Sequence, residues 1–472
     1  MYYAQFGTDE FLSTLFDDNY KGVCIEVGSA QPIYGNNTYF FEQKGWTTYC
    51  IEPNPKLVER LIPIRKNVYN FAVGSVNSDQ VDFNICTLHD GNQEAISGLQ
   101  IDGRLIQSHQ SYSPKLTKIQ VQVKTLDTFI NENNIEHIDF ISIDTEGTEL
   151  DVLKGLDLKK YRPRVFVIEN NFDEQLIRTY LNSFGYKFIK RLGVNDFFEK
   201  EFDHVSNPVI KYSTTGNIGD VIHELYVMKK FFEKTNLRGR LLLKDRQKET
   251  DGFFYRELYL ISQEINDLMT DSEYFEKCDI FTENNPYIID LDKWRTSEFI
   301  YKFCWTEMLS KQYELELNYE GENVKEWVEK TDIDFQDFKD KVVIHQSNEW
   351  YRKIDNFPWE SIIENNNCVF VSFNPSQYDN FKFKDNVHLH LMSDLSEFKN
   401  ILSNCKFYVG NLTSLTALAH SMRIPRLIEF TSINTGDFRH YFEEKKYSEN
   451  FFYISEQEEF TSTEGIENFI IL

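Results

Sequence analysis

Acidic residues crowd one short stretch of this chain, Asp139-Phe140-Ile141-Ser142-Ile143-Asp144-Thr145-Glu146-Gly147-Thr148-Glu149. Its apolar run reads as a buried strand, and acids at the C-terminal end of such a strand face the crevice where open α/β sheets bind ligands. A helix dipole favours acids in the first turn of the helix that follows, which accounts for Glu146 and Glu149. It accounts less well for Asp144, which closes the strand. A second apolar run, Arg164-Val165-Phe166-Val167-Ile168, ends in Glu169-Asn170. A carboxylate at a crevice rim can take the proton of a hydroxyl as that hydroxyl reacts. Asp144, Glu146 and Glu169 are the candidates, unranked. Asp144 with Glu169 and Asn170 is also an all-oxygen set that could hold Mg²⁺; unrelated polar residues at a rim are the simpler alternative.

A third constellation lies upstream. The strand Val23-Cys24-Ile25 runs into Glu26-Val27-Gly28-Ser29, where a glycine lets the backbone turn tightly and approach a ligand. The next strand ends at Glu52, 24 residues after Gly28, close to the ~20-residue spacing at which an acid meets ribose hydroxyls in nucleotide-binding sheets. The three-glycine dinucleotide fingerprint is absent. S-adenosylmethionine has ribose and adenine but no phosphate, so it suits this pattern better than NAD. An ordinary strand-end turn with a surface Glu is the competing explanation.

Short β-rich runs alternating with amphipathic stretches must position these residues, which predicts α/β layers with parallel sheets. Strands are expected at Val23–Glu26, Thr48–Glu52, Val68–Ala72, Asp139–Ile143 and Arg164–Ile168, with helices at Pro55–Ile62 and Thr148–Gly155. A polar stretch, Glu199 to His204, ends this series, and a new strand starts at Val209. Two domains are expected, 1–203 and 207–472, the second divided into halves of about 207–335 and 336–472. Residues 250–335 are helix-biased and acidic and carry no motif.

Length and composition agree. At 472 residues the chain exceeds one ordinary core. With 41% hydrophobic and 26% charged residues it is globular. Its net charge of -25 disfavours a phosphate-backbone binder, which carries a basic face, so no nucleic-acid partner is expected. No run reaches the ~18 apolar residues of a membrane span. The first residues lack the basic and apolar regions of a secretion signal. Seven scattered Cys without a CxxC pair suit free thiols in a reducing cytoplasm.

Several segments, in order, resemble one family. They are Ile25-Glu26-Val27-Gly28; Asn37-Thr38-Tyr39-Phe40-Phe41-Glu42 with Gly45-Trp46; Cys50-Ile51-Glu52-Pro53-Asn54-Pro55; Ala72-Val73-Gly74; Val123-Lys124-Thr125-Leu126-Asp127; Ile143 to Glu149; and Val167-Ile168-Glu169. Residues 1 to about 203 resemble FkbM-type S-adenosylmethionine-dependent methyltransferases. The resemblance implies a Rossmann-like domain that methylates a sugar or polyketide hydroxyl. It implies that Glu26, Val27 and Gly28 line the methionine side, that Glu52 holds the ribose, and that Ala72 and Val73, at the end of the third strand, flank adenine. Asp144 and Glu146 would face donor or acceptor. An irregular stretch of about 86–118, with His89 and His109, could cover the acceptor.

The second part opens with Val209-Ile210-Lys211-Tyr212, then Ser213-Thr214-Thr215-Gly216-Asn217-Ile218-Gly219-Asp220 and a helix. A matching unit follows Val342-Val343-Ile344: Phe407-Tyr408-Val409 enters Gly410-Asn411-Leu412-Thr413-Ser414 and a small-residue helix, Leu415 to Met422. Glycine and hydroxyls at a helix N-terminus suit a diphosphate. Arg352 could add a bidentate phosphate contact. These parts are similar to GT-B glycosyltransferases of the heptosyltransferase type, though an acid and a glycine usually stand where Gly410-Asn411 does here. The resemblance implies two Rossmann-like halves, a nucleotide diphosphate sugar as donor, Gly410, Asn411, Thr413, Ser414 and Arg352 at that donor, and Asp220 as base in the acceptor cleft. Asp220 as a helix N-cap explains the residue equally well. The whole reads as an enzyme of surface polysaccharide biosynthesis with a sugar or glycan acceptor. A methyltransferase whose second domain only binds or positions glycan is the alternative.

Overall fold

The computed structural model describes residues 1–88, 96–245, 257–286, 288–299, 305–315, 325–347, 357–411, 413–430 and 451–455. The chain is mixed α/β and divides into two compact units, Met1–Pro208 and Val209–Leu472.

Among the described residues the first unit has ten strands: β1 (Val23–Val27), β2 (Thr47–Ile51), β3 (Val68–Tyr69), β4 (Ala72–Val73), β5 (Ser78–Thr87), β6 (Lys115–Lys124), β7 (Phe140–Ile143), β8 (Val165–Glu169), β9 (Tyr186–Leu192) and β10 (Asn195–Lys200). The main sheet has the order β3-β2-β1-β7-β8-β10-β9. Strands β3 to β8 in that order pair in parallel, and β10 and β9 close the edge antiparallel. Central strands covered on both faces need apolar residues at every position. Accordingly, all of β7 and β8 is buried. One face packs an aromatic cluster in which Phe41 meets Phe140 edge-on at 4.9 Å and Phe16 meets Trp46 at 5.0 Å. The helix Pro55–Leu61 begins behind β2 with proline in its first turn and Asn54 accepting from the Lys56 N–H.

The expected third strand, Val68–Ala72, divides. Only Val68–Tyr69 joins the main sheet, and Ala72–Val73 pairs with β6 in a separate sheet of order β4-β6-β5. Asn70 makes the turn, because its side-chain amide donates to the carbonyls of Glu52 and Pro53, both at 2.9 Å. The long antiparallel β5–β6 pair has few buried positions along its outer half, so its apolar pattern is weak in the sequence.

Among the described residues the second unit holds two parallel sheets, one per half. The first half has β11 (Ile210–Thr214), β12 (Gly239–Leu243), β13 (Phe275–Ile280) and β14 (Ile289–Asp290), in the order β13-β12-β11-β14. The second has β15 (Val342–His345), β16 (Cys368–Ser372), β17 (His388–Leu391), β18 (Phe407–Asn411), β19 (Arg426–Phe430) and β20 (Phe451–Ser455), in the order β17-β16-β15-β18-β19-β20. The motif-free segment therefore supplies two strands, β13 and β14, which the sequence left unassigned. Their alternation is poor: β13 buries only Phe275 and Cys278. Buried Trp327 links the halves: its indole N–H donates to the Ile222 carbonyl at 2.7 Å within the first, and its backbone N–H to the Ser421 carbonyl at 3.0 Å in the second. No helix among the described residues is long and apolar enough to cross a membrane.

Candidate functional site

Strand order in the main sheet reverses at β1, with β2 and β3 on one side and β7 and β8 on the other. A crevice opens at the C-terminal strand ends at such a switch point. Gly28, Glu52 and Asp144 each follow the last residue of β1, β2 and β7 respectively. Backbone bonds join the three tips: the Gly28 N–H donates to Ile51 at 3.0 Å, and the Asp144 N–H to Val27 at 3.0 Å. Gly28 has φ +83°, and a Cβ there would lie 1.8 Å from the Asp144 carbonyl oxygen. Only glycine permits both that conformation and that approach. The buried Glu52 carboxylate accepts from the backbone N–H of Ala30 at 3.0 Å and of Asn54 at 2.8 Å, which fixes it at the rim.

Glu26 has a different position from the one expected. Its carboxylate turns into the protein and accepts from Asn36 Nδ2 at 2.7 Å, the Asn37 N–H at 2.9 Å and the Thr38 hydroxyl at 2.8 Å. Arg65 Nη1 lies 3.7 Å away. Burial raises the Glu26 pKa, and Arg65 opposes that rise. Glu26 thus organises the 29–38 loop. Val27 is buried. Ala72 and Val73 are buried too, but in the second sheet rather than at the end of a main-sheet strand.

The acids do converge. Carboxylate oxygens of Asp144, Glu146 and Glu169 all lie within 4.8 Å of one another. Glu146 is held at φ +59°, a left-handed conformation costly for a residue with a side chain. Glu149 anchors the loop: its Oε1 accepts from the Thr145 N–H and the Thr145 hydroxyl, both at 2.9 Å, and from the Gly147 N–H at 3.1 Å. The sequence offered only a dipole role for Glu149, and nothing in residue type distinguishes an anchor from a dipole-favoured acid. Asn170 does not join the cluster. Its Oδ1 accepts from the Glu174 N–H at 2.8 Å, and its Nδ2 donates to Asp196 at 2.9 Å. Glu146 stands where the sequence suggested Asn170.

Burial and mutual repulsion raise the carboxyl pKa values. Asp144 is pushed up to about 7, first by burial and next by the Glu149 charge. Glu146 is pushed up to about 9 by burial and then Asp144 and Glu149, with an Asn171 hydrogen bond acting the other way. Glu169 is raised well above the usual range by burial, then by Asp144, Glu146 and Glu149. A carboxyl raised above its unfolded value of ~4 holds its proton more tightly when folded. Its stabilising contribution is complete below about pH 4 and disappears as pH rises through the folded values. The melting temperature in EDTA is therefore expected to fall as pH is raised through 7 and towards 9. Glu146→Gln should flatten that fall; calorimetry at several pH values checks it, and an equal slope in the variant would contradict the expectation.

Part of the irregular stretch covers the acid loop. A Cβ at Gly98 would come within 2.9 Å of the Thr145 carbonyl, and one at Gly147 within 3.3 Å of the Gln100 carbonyl. Arg104 ties this wall to the loop after β8: it pairs with Asp102 at 2.6 Å and with Glu174, and lies 3.9 Å from the Phe172 ring centre. His109 Nδ1 is 2.9 Å from the Leu105 carbonyl, and His89 lies outside the described residues.

In the second unit the two loops meet. A Cβ at Gly219 would lie 3.5 Å from Ser414 Cα, so the start of the helix Ile218–Thr235 abuts the start of Ser414–Ser421. Asn217, not Asp220, is the N-cap of the first. Asp220 pairs with Arg295 at 2.7 Å. A Cβ at Gly410 would lie 2.3 Å from the Tyr408 hydroxyl and 3.0 Å from the His345 carbonyl. Internal packing is thus sufficient reason for that glycine. Asn411 is buried and bonds both backbone groups of Ser347, at 3.0 and 2.6 Å. Thr413 is the N-cap of Ser414–Ser421 without a side-chain cap bond. Arg352 and Leu412 lie outside the described residues.

A mostly parallel sheet with an acid-rimmed crevice at its switch point is a Rossmann-like arrangement that binds ligands at its strand ends. Residues 26–188 match the model of the Methyltransferase FkbM domain, so the first unit carries a domain of that methyltransferase family. Solved structures similar to part of the chain include the E. coli heptosyltransferase WaaC with ADP, at 12% identity and TM-score 0.39, covering 55% of this chain and 98% of that one. The glycosyl transferase family 9 protein from Veillonella parvula shows 8% identity and TM-score 0.35, over 52% and 85% of the two chains. The dodecameric iron-containing heptosyltransferase TibC from enterotoxigenic E. coli, in complex with ADP-D-beta-D-heptose, shows 15% identity and TM-score 0.34, over 53% and 65%. Comparison with curated protein sequences finds no match.

Proposed function

We propose that the first unit is an S-adenosylmethionine-dependent O-methyltransferase acting on a sugar or glycan hydroxyl. The observation that carries this reading is the carboxylate cluster at the sheet's switch point, inside the segment that matches the FkbM domain. The residues present fit the donor: Glu52 is fixed at the β2 tip, where nucleotide-binding sheets meet ribose hydroxyls, and Gly28 keeps the adjoining rim narrow. When bound, the donor supplies an electrophilic methyl on a sulfonium. The acceptor oxygen gains the methyl as the sulfur–carbon bond breaks, and the hydroxyl proton passes to a carboxylate. Asp144 is the member suited to that proton, since a base works best with a pKa near the working pH. Glu146 and Glu169 orient the hydroxyl beside it.

Glu52→Ala in the full chain is expected to weaken S-adenosylhomocysteine binding by about 1.5–3 kcal/mol, because charge-assisted hydrogen bonds to the ribose are lost. Isothermal calorimetry measures it. Unchanged affinity in a folded variant would reject Glu52 as the ribose acid. Methyl transfer from labelled S-adenosylmethionine to a panel of saccharides tests the activity itself.

For the second unit the reading is a nucleotide-sugar glycosyltransferase of surface glycan biosynthesis, with the donor diphosphate at the start of Ser414–Ser421. A non-catalytic glycan-positioning module is the second reading. It is favoured by the internal engagement of Gly410, Asn411 and Asp220. Titrating the full chain with uridine, guanosine, adenosine and cytidine diphosphate sugars separates the two. Binding of one of them, weakened in Ser414→Trp, is expected from the catalytic reading; failure of all four leaves the positioning module.

A further inference from the structure

We infer that residues 2–8 form a saccharide subsite beside the methyl-transfer crevice, with the exposed ring of Phe6 as its stacking face. The inference rests on the methyltransferase reading for the chemistry of the acceptor but not for its geometry. Residues 3–8 run along the C-terminal rim of the main sheet and are tied down at both ends. At one end the Gly35 N–H, in the loop that follows Gly28, donates to the Tyr3 carbonyl at 2.9 Å. At the other, Asn195 Nδ2 is 2.9 Å from the buried Thr8 hydroxyl and donates to it. Asn195 pairs with Glu169 across β10 and β8, and the Asn170 N–H donates to the Val194 carbonyl at 2.8 Å. The segment therefore joins the rim loop of β1 to the turn beside Glu169.

Phe6 lies within this bridge, and its surroundings are shaped to present it. It has φ +56°, a left-handed conformation costly for a residue with a side chain. Its ring rests on Gly193, where a Cβ would lie 2.4, 2.5 and 2.6 Å from three ring carbons. Near-equal distances to three carbons put the glycine against the face of the ring rather than its edge. Phe6 is nevertheless 53% exposed, so its open surface is the opposite face. A strained backbone that offers a large apolar ring to water is costly on both counts, and such strain collects where ligands bind. Tyr34, 72% exposed, extends the surface: its ring is 6.1 Å from that of Tyr3, which meets Tyr39 at 4.9 Å. Residues 1–8 and 29–38 contain no Lys or Arg, so a phosphate or anionic headgroup finds no counter-charge in either segment. Aromatic rings, some with a hydroxyl at one end, suit a ligand that is apolar on one side and wet on the other. A pyranose is such a ligand, with C–H groups on its faces and hydroxyls at its edge. Stacking on Phe6 would fix the acceptor beside the strand ends that carry Gly28 and Glu169.

Saturation-transfer NMR titrations of the full chain, with the methyl glycosides of glucose, galactose, mannose and fucose as probes, test the subsite without turnover. At least one glycoside is expected to take up saturation at its ring C–H protons. Phe6→Ala should weaken its binding about tenfold, the loss of one aromatic stack, and Phe6→Trp should retain it. Phe6→Gly removes the ring but suits the left-handed backbone, so it should lose binding equally while melting no lower than Phe6→Ala. That pair separates a missing ring from a damaged fold. Absence of transfer to all four glycosides in the parent overturns the inference, and so does an affinity unchanged in both Phe6→Ala and Phe6→Gly. A parent dimer that Phe6→Ala converts to monomer, with glycoside binding intact, overturns it too, because the ring then serves a second copy of the chain. Methyl transfer from labelled S-adenosylmethionine to the same glycosides keeps the two readings apart. Binding through Phe6 without any methylation sinks saccharide methylation and leaves the subsite. Methylation with KM unchanged in both ring-deleted variants sinks the subsite alone.

Discussion

Asp144→Asn is expected to lower methyl-transfer turnover by about 10²–10⁴-fold, the range a positioned proton acceptor contributes, while leaving donor affinity within about twofold. The substitution keeps side-chain shape and the backbone bond from Asp144 to Val27. It removes only the charge that takes the hydroxyl proton. The loss should therefore fall on the rate and not on donor binding. In the parent chain the rate should rise as pH is raised through about 7, because the proton acceptor must be ionised. That rising limb should vanish in the variant. If Asp144→Asn and Glu146→Gln both methylate a confirmed acceptor at the parent rate, the chemistry lies elsewhere. A lost limb with normal donor affinity is something a merely structural aspartate would not produce.

Arg65→Leu is expected to destabilise the first unit by about 3–5 kcal/mol, the usual cost of stripping one partner from a buried ion pair. The Arg65 side chain is 0% exposed. It bonds Glu42 at 2.9 Å, Asn36 Oδ1 at 2.8 Å and the Thr38 hydroxyl at 2.7 Å, and it faces Glu26. Removing it leaves two buried carboxylates, Glu26 and Glu42, without a counter-charge. Arg65→Lys should recover little, because an ammonium cannot make the three-way planar contact. Urea unfolding followed by circular dichroism should show the first unit's transition moving down by about 1 M or more. A shift under ~1 kcal/mol in Arg65→Leu would show that the network contributes little. The same network holds the 29–38 loop beside Gly28, so donor affinity should fall with stability.

Much of the first unit was legible because its signals are local. Strands β1, β2, β7 and β8 are short continuous apolar runs, as strands covered on both faces must be. Gly28, Glu52 and Asp144 each follow the last residue of their strand and Glu169 closes β8, so finding the strand found the residue at the crevice rim. Residue type and position were enough there, since the C-terminal ends of parallel strands share one rim.

What required the tertiary structure was which way each side chain turned and what it met. Glu26 and Glu52 are both acids at strand tips, yet one faces an internal arginine and the other the crevice rim. Asn170 and Glu146 exchanged places because Asn170 is claimed by Glu174 and Asp196, while a left-handed turn swings Glu146 inward. Ala72 and Val73 left the main sheet because Asn70 bonds back to the Glu52–Pro53 turn. Gly410 read as a ligand approach, but its neighbours are Tyr408 and His345. By itself the sequence determined the strand ends and the acids they carry, because periodicity and local chemistry act over a few residues. The tertiary structure decided which acids share a site and which are neutralised, because hydrogen bonds and charges act between residues far apart in the chain.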